Sequence, residues 1–165
     1  MLRVVDANLD RLGEGLRVLE DVARFLLDDA KLCRQLKSLR HNVVKELHPI
    51  EQQLLAARKV KEDTGAFVRP PPGFEHEDIP ALVKANARRS QESLRVLEEF
   101  ARLSSSRRLP PASKFESYRF TLYELEQKLI ARLLRRNKAS RLAGLYLILD
   151  MYSLGGRDEV EVVIE

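Results

Sequence analysis

The amino-acid sequence predicts an all-α fold in which two internally repeated helical hairpins form a four-helix bundle-like domain, followed by a short C-terminal strand. Three observations lead to this prediction. Residues 7–24, ANLDRLGEGLRVLEDVAR, recur at residues 85–102 as ANARRSQESLRVLEEFAR, with eleven of the eighteen aligned positions identical. Apolar residues recur at helical spacing up to about residue 137. One long proline-containing segment separates the two copies.

The first hairpin begins with a helix for which Asp6 is the expected N-cap. This helix is expected to run to about Asp28, and Asp29 is then expected to start the second helix. Because Pro49 has no amide hydrogen, the second helix must kink or restart there before it ends near Val60. The apolar stripe of the second helix consists of Leu32, Leu36, Leu39, Val43 and Leu47.

The second hairpin repeats this plan. Asp78 is expected to open a helix that ends near Leu103. A last helix is expected from Pro111 to about Asn137. Its apolar stripe consists of Phe115, Leu122, Leu125, Leu129 and Leu133. Short loops within each half therefore predict antiparallel neighbours, related by an approximate two-fold axis.

The chain is expected to contain one helical domain and the beginning of another domain. The predicted segments are the repeats at about 6–60 and 78–137, the linker 61–77, the helical domain 1–142 and the C-terminal segment 143–165. The apolar run LYLIL in the last segment is typical of a fully buried parallel strand. Because a single buried strand needs a sheet, we expect this segment to begin a truncated second domain or to pair with another copy of the chain.

Composition restricts the classes of function. The 165 residues are 44% hydrophobic and 33% charged, as expected for a helix-rich protein with one packed core. Cys33 is the only cysteine, no apolar run is long enough to span a membrane, and no signal-peptide pattern opens the sequence, so a cytoplasmic protein is expected. The formal net charge of +4 favours anionic partners. The basic residues near Arg141 are explained more simply by solvation than by nucleic acid, which is not an expected partner.

Most of the repeat is explained by architecture. The expected core positions are Leu16, Leu19, Ala23, Leu94, Leu97 and Ala101. Arg17, Glu20 and Arg24 are expected to form a solvated or interhelical charge ladder. In contrast, Asn8, Arg11 and Glu14 form a polar row that enters the apolar face, and Asn86, Arg89 and Glu92 do the same in the second copy. Because an unpaired charge facing an apolar interior costs several kcal/mol, this row must meet partners, water or a ligand.

Two interpretations of the Asn-Arg-Glu row stay open. In the first, Arg11 pairs with Glu92 and Arg89 pairs with Glu14 in a buried network that fixes the register of the repeats. In the second, the row lines an anion pocket between the repeats. Arginine and asparagine would donate to phosphate there, and the two glutamates would hold a divalent cation.

Further candidate residues lie outside this row. Arg40 and His41, in LRH, and Arg119, in YRF, add positive charge from the second helix of each hairpin. Asp63, in EDTG, lies in a loop that can close on a ligand, although an ordinary turn residue explains it equally well.

Gly13 and Gly15 interrupt the first repeated helix. GEGLRV begins like a dinucleotide-binding fingerprint but lacks the third glycine and lies within an amphipathic helix, so we discard that interpretation. Two glycines in a helix interior cost roughly 1 kcal/mol each relative to alanine. We therefore expect that the missing side chains leave room for a ligand or allow another backbone to approach closely, which would offset this cost.

The paired motif resembles a known family. The pattern A-N-x-x-R-x-x-E-x-L-R-V-L-E-[DE]-x-A-R occurs twice, with LKSLRH at residues 36–41 and LLAARKVKEDTG at residues 54–65. Together they resemble the helical domain fused ahead of some bacterial thiamine phosphate synthases. LAGLYLILD, at residues 142–150, resembles the first strand of the synthase barrel, which implies that residues 143–165 begin a truncated barrel domain.

This resemblance implies thiamine biosynthesis and a hydroxymethylpyrimidine phosphate kinase-like transferase that uses ATP and Mg²⁺. Its implied partners are a phosphorylated pyrimidine, a nucleotide and the fused synthase barrel. A homodimer with a second copy of the chain is a separate expectation. The expected catalytic residues are Arg11, Arg89, Glu14 and Glu92, of which the two glutamates are also the expected magnesium ligands. The expected substrate-binding residues are Asn8, Asn86, Arg40, His41, Arg119 and Asp63. The alternative is a noncatalytic scaffold or dimerisation module, in which the polar row is paired internally and leaves no cleft.

Overall fold

The computed structural model describes residues 1–59, 75–104 and 108–141. These residues contain helices and short connections but no strand, which confirms the all-α prediction. Residues 61–74 of the predicted linker 61–77, including Asp63, lie outside the described residues, as does the predicted strand segment 143–165.

Five α-helices make up the described chain. They are α1 (Leu2–Asp21), α2 (Ala30–Leu47), α3 (Glu51–Ala56), α4 (Ile79–Ala101) and α5 (Ala112–Arg141). A π-helical turn, Val22–Leu26, continues α1, and a 3₁₀ turn, His48–Ile50, joins α2 to α3. Met1–Arg135 form one compact unit, and of the second unit, Arg136–Glu165, only the last residues of α5 are described. No described helix is long and apolar enough to cross a membrane.

The start of α1 differs from the prediction. The helix begins at Leu2, so the expected N-cap at Asp6 is wrong. Val5 is fully buried in the core, and the apolar residues before Asp6 therefore extend the helix toward the N-terminus. Asp6 lies within the helix, where its carboxylate accepts hydrogen bonds from the Arg58 guanidinium at 2.6 and 3.0 Å.

The connection from α1 to α2 is tight. The Asp29 amide donates to the Ala23 carbonyl at 2.9 Å, across the π-helical turn. Asp28 has a φ of 51°, a left-handed conformation that aspartate tolerates better than most residues. The Asp29 carboxylate then accepts from the amides of Lys31 and Leu32 at 3.1 and 3.0 Å. Asp29 is therefore the N-cap of α2, which confirms the predicted start of the second helix.

Two more predicted boundaries are confirmed. The second helix of the first hairpin is interrupted at Pro49 by the 3₁₀ turn and restarts as α3. Asp78 caps α4, because its carboxylate accepts from the Ala81 amide at 2.7 Å. The far ends differ by a few residues, since α3 stops at Ala56 and α5 continues to Arg141.

Polar contacts between helices establish the direction of each helix in the bundle. The contacts are Asp6–Arg58 and Glu20–Arg40 in the first hairpin, Glu98–Arg119 and Gln91–Glu126 between α4 and α5, and Glu46–Lys114 and Asp29–Arg132 between α2 and α5. In every set, the residue that comes later in the first segment contacts the residue that comes earlier in the second segment, so each pair runs antiparallel. Because α1 also packs on α4, the helices close into an antiparallel four-helix bundle.

The core consists of the apolar stripes that the sequence predicts. All ten residues of the two stripes in α2 and α5 are buried. The repeat contributes Leu16, Leu19, Ala23, Leu94 and Leu97, which are also buried, whereas Ala101 is partly buried. The packing of this core also brings α1 and α4 together, and the polar row lies where these two helices face each other.

Candidate functional site

A cleft of about 570 Å³ lies between α1 and α4. Its lining residues are Asn8, Arg11, Glu14 and Gly15 from α1, and Asn86, Arg89, Glu92, Ser93 and Val96 from α4. All six residues of the Asn-Arg-Glu row are among them. The two copies of the row therefore meet in one shared cleft, as the pocket interpretation expects.

The two asparagines have the same environment in both repeats. Asn8 is 6% exposed and Asn86 is 7% exposed. The Asn8 side-chain amide donates to the Val4 carbonyl at 2.8 Å, and the Asn86 amide donates to the Leu82 carbonyl at 2.9 Å. Each bond holds the amide against its own helix and uses one of its two N–H groups. The asparagines are thus oriented before any ligand binds.

The charged residues of the row are exposed at the cleft. Within residues 1–59, 75–104 and 108–141, neither Arg11 nor Glu14 makes a hydrogen bond or an ion pair through its side chain. Glu92 pairs with Arg88 of its own helix at 3.3 Å. The crossed network of Arg11 with Glu92 and of Glu14 with Arg89 is therefore not formed among the described residues.

Gly15 and Gly13 have different roles. A Cβ atom added to Gly15 would lie 3.0 Å from the Asn86 carbonyl oxygen and closer still to the Ser90 hydroxyl. Ser90 itself donates to the Asn86 carbonyl at 2.9 Å. No described atom lies within 4 Å of a Cβ added to Gly13. The expectation of close backbone approach is therefore confirmed at Gly15, whereas Gly13 faces open space.

Arg40 does not line the cleft and instead contacts a buried carboxylate. Glu20 is only 4% exposed, although a charge ladder open to solvent was one expectation for it. The Arg40 guanidinium donates to Glu20 at 3.1 and 3.0 Å, and Arg17 donates at 3.4 Å. Glu20 therefore follows the interhelical alternative for this ladder, whereas Arg17 and Arg24 are exposed. His41 follows Arg40 on an exposed position of α2 and does not line the cleft either.

Arg119 occupies the equivalent place in the second hairpin. It donates to Glu98, which has no exposed surface, at 3.3 and 3.0 Å. Arg95 and Arg102 donate to the other oxygen of Glu98 at 2.8 and 2.5 Å. The pKa of Arg119 is raised further by its hydrogen bond to the Tyr123 hydroxyl and by Glu98. Arg40 and Arg119 thus hold the hairpins together, and neither is placed at the cleft.

The sequence did not reveal the partners of Arg58, at the end of the first hairpin. This side chain donates to both Asp6 and Asp10, at 2.9 Å for the latter. The hydrogen bond that Arg58 donates to Asp6 is the main cause that raises the pKa of Arg58 above its ordinary value, and the charge of Asp10 acts in the same direction. Two aspartates four residues apart on one helix ridge are the signal that predicts such a cation.

A second cavity of about 400 Å³ lies between α2 and α5. Lys31, Arg34 and Lys128 contribute positive charge to it, and Tyr118 contributes an aromatic ring. Burial is the main cause that raises the pKa of Tyr118. None of the predicted site residues lines this groove.

The carboxylates of the described chain do not form a metal site by themselves. No group of three or more His, Cys, Asp or Glu residues converges within the part of the chain that the structure describes. Glu14 and Glu92 are nevertheless both exposed at the cleft.

The fold and the cleft define an internally duplicated all-α protein with one polar cleft shared by its two repeats. Residues 3–128 match the ThiD2 family, and the chain belongs to this family.

The chain is also similar to curated proteins named thiamine-phosphate synthase. One, from Synechococcus sp. (strain CC9311), is 40% identical over 149 residues, which cover 89% of this chain and 40% of that protein. Another, from Rhodopirellula baltica, is 34% identical over 142 residues, covering 86% of this chain and 37% of that protein. A third, from Nostoc punctiforme, is 36% identical over 146 residues, covering 88% and 39%. The chain thus spans about two fifths of the length of these relatives. No solved structure matches the chain.

Proposed function

We propose that the cleft between α1 and α4 transfers a phosphoryl group from a nucleotide to hydroxymethylpyrimidine phosphate, giving the diphosphate, in thiamine biosynthesis. Membership of the ThiD2 family and similarity to proteins named thiamine-phosphate synthase support the pathway. We further propose that the chain acts as the N-terminal part of such a synthase. The observation that carries the proposal is the convergence of two arginines, two asparagines and two glutamates on one cleft.

The reaction needs groups that offset negative charge. The bond between the γ-phosphorus and the oxygen that bridges it to the β-phosphate breaks, and the nucleoside diphosphate leaves with that oxygen. A new bond forms between the γ-phosphorus and a phosphate oxygen of the pyrimidine substrate. Both reactants are anionic, so catalysis depends mainly on positioning and on electrostatic stabilisation. Arg11, with no ion-pair partner among the described residues, has its guanidinium N–H groups available to phosphate.

The two glutamates fit a magnesium ion that the substrates help to bind. Mg²⁺ usually takes one or two carboxylates together with phosphate oxygens and water. Glu14 and Glu92 provide this number of carboxylates at the cleft. The ion would neutralise negative charge on the phosphates, while Asn8 and Asn86 orient the substrates with their remaining amide groups.

The test is a phosphoryl-transfer assay with ATP, Mg²⁺ and hydroxymethylpyrimidine phosphate, followed by ³¹P NMR of the diphosphate. We expect Arg11→Ala and Arg89→Ala each to lower kcat/KM by about 100-fold, comparable to the loss of one charge-stabilising donor. Lys128→Ala, on α5 away from the cleft, is the matched control and should keep full activity. A folded wild-type chain without turnover, both alone and joined to the synthase barrel, would contradict the proposal.

The scaffold alternative predicts a polar row that is paired internally and leaves no cleft. A cleft of about 570 Å³ and the absence of an ion pair at Arg11 within the described residues favour the catalytic proposal. A cytoplasmic location and binding of a second copy of the chain stay predictions.

A further inference from the structure

The described residues that line the cleft differ in charge according to their burial. The buried ones are all uncharged, namely Asn8, Gly15, Asn86 and Ser93. The exposed ones are all charged, namely Arg11, Glu14, Arg89 and Glu92. We call the first set the floor of the cleft and the second set its rim. A ligand in the cleft therefore meets neutral polar groups at the floor and ionised groups at the rim.

The floor presents hydrogen-bond acceptors as well as donors. The carbonyls of Val4 and Leu82 can only accept, so the side-chain nitrogens of Asn8 and Asn86 must face them. No described residue donates to either amide oxygen, and no fully buried side-chain nitrogen or oxygen of the described chain lacks a partner. Both amide oxygens are therefore accessible at the cleft. An unprotonated phosphate, which only accepts, gains nothing from these oxygens, whereas an N–H group does.

Ser93 makes the two sides of the floor different. It is 3% exposed, and its hydroxyl makes no hydrogen bond with a described residue, so by the same reasoning this hydroxyl is accessible at the cleft. The equivalent residue of α1 is Gly15, which has no side chain. Val96 also lines the cleft, whereas Val18, its described equivalent in α1, does not. The α4 side of the floor thus offers a hydroxyl and an apolar contact that the α1 side lacks.

We propose that the floor binds an uncharged nitrogen heterocycle with an amino group beside a ring nitrogen, that Ser93 is a specificity-determining residue for this ring, and that the phosphates of the same ligand lie at the rim. This inference rests on the proposed function, because both of its reactants, an aminopyrimidine phosphate and ATP, contain such a ring.

The chemistry of the floor matches this ring. Its amino group donates to an asparagine oxygen while the ring nitrogen accepts from the remaining amide N–H, the same pairing by which asparagine recognises adenine in DNA. The Ser93 hydroxyl bonds a further polar atom of the ligand, and Val96 contacts the apolar face of the ring. An anionic group would lose its hydration at the floor without gaining an opposite charge. At the rim, the Arg11 guanidinium donates to phosphate.

The test is a calorimetric titration with hydroxymethylpyrimidine phosphate, with a non-hydrolysable ATP analogue and Mg²⁺, and with inorganic pyrophosphate, which is charged but has no ring. Ser93→Ala removes one neutral hydrogen bond and should raise the Kd of at least one ring-bearing probe about fivefold, without changing the Kd of pyrophosphate. Arg11→Ala should instead raise the Kd of all three probes, pyrophosphate included. Ser90→Ala is the matched control, because it removes a buried hydroxyl of the same helix that does not line the cleft. Its Kd values should equal those of wild type.

The two ring-bearing probes distinguish the sources of the ring. A loss confined to the pyrimidine phosphate assigns the floor to the aminopyrimidine, a loss confined to the ATP analogue assigns it to adenine, and a loss in both means that each ring contacts Ser93. The inference is overturned by an equal loss for pyrophosphate, by an equal loss in Ser90→Ala, by no loss for either ring-bearing probe, or by a wild-type chain that binds neither of them.

These outcomes also separate the inference from the proposed function. If the wild-type chain turns over while Ser93→Ala leaves every Kd unchanged, the inference fails and the proposed function stands. Binding that depends on the ring and on Ser93, in a chain without turnover, supports the inference and contradicts the proposed function.

Discussion

The Glu98 carboxylate, which has no exposed surface, accepts two hydrogen bonds from the Arg119 guanidinium at 3.3 and 3.0 Å. The Glu20–Arg40 pair repeats this contact in the first hairpin, at 3.1 and 3.0 Å. Each pair joins a cleft-forming helix to the helix that follows it in its hairpin. The geometry that the two hairpins share therefore depends on buried carboxylates that do not line the cleft.

Removing Arg119 should destabilise the fold. Arg119→Ala leaves the buried Glu98 carboxylate without its contact to α5, and the loss of one partner of a buried pair typically costs about 3–5 kcal/mol. We expect about 3 kcal/mol, the lower end of that range, because Arg95 and Arg102 still contact Glu98. Urea denaturation measures the change in the free energy of unfolding. Lys128→Ala breaks only the exposed pair with Glu124 and should cost less than about 0.5 kcal/mol. Similar values for the two variants would contradict the structural role of Arg119.

The two glycines of α1 should respond in opposite directions to alanine. Gly15→Ala places a methyl group against Ser90 and the Asn86 carbonyl, and such overpacking typically costs about 1–3 kcal/mol. Gly13→Ala meets no described atom and should stabilise the helix by about 0.5–1 kcal/mol. Equilibrium unfolding of both variants tests this. Adding Ser90→Ala to Gly15→Ala should recover part of the loss; no recovery would show that the hydroxyl is not the obstacle.

The stability of the contact between α2 and α5 should depend on pH through Glu46. The hydrogen bond from Lys114 is the main cause that lowers the pKa of Glu46 below its ordinary value of 4.5. A lowered pKa in the folded state means that the ionised carboxylate adds stability above the unfolded pKa and loses it as pH falls through the folded pKa. Wild type should therefore exceed Glu46→Gln in free energy of unfolding at pH 7, and the difference should vanish at about pH 3. A difference that is the same at both values would contradict the assignment.

If the cleft binds magnesium, the two glutamates should contribute unequally. Glu14 has no cationic partner within the described residues, whereas Glu92 pairs with Arg88. Glu14→Gln should raise the Mg²⁺ concentration for half-maximal turnover by about tenfold, and Glu92→Gln should raise it less. Glu124→Gln, on the outside of α5, is the control. Unchanged Mg²⁺ dependence in both cleft variants would exclude these carboxylates as ligands.

Local and periodic signals in the sequence were sufficient to predict much of the fold. The caps at Asp29 and Asp78 depend on bonds to amides two or three residues away. The apolar stripes depend on helical periodicity alone, and the core contains them as predicted. The same periodicity predicted the cleft, because it places the Asn-Arg-Glu row of each repeat on the apolar face of its helix.

The partners of charged residues were not predictable in this way. A helical wheel assigns Glu20 to the polar side of its helix, but the seam with α2 passes over that side and buries the carboxylate. Asp6 has the sequence signature of a cap, yet its partner Arg58 is 52 residues away. Periodicity gives the face on which a side chain lies. It does not say which other helix covers that face.

The cleft lies between the two copies of the repeat, so each copy forms one of its walls. In an isologous dimer of half-length subunits, any substitution would enter both walls at once, because the same gene encodes them. Joining the copies in one polypeptide removes that constraint. Gly15 and Ser93 show the consequence, since they occupy the same place in the repeat and both line the cleft but are different residues. The two walls of the cleft can therefore differ, although the helices that form them are repeats of one another.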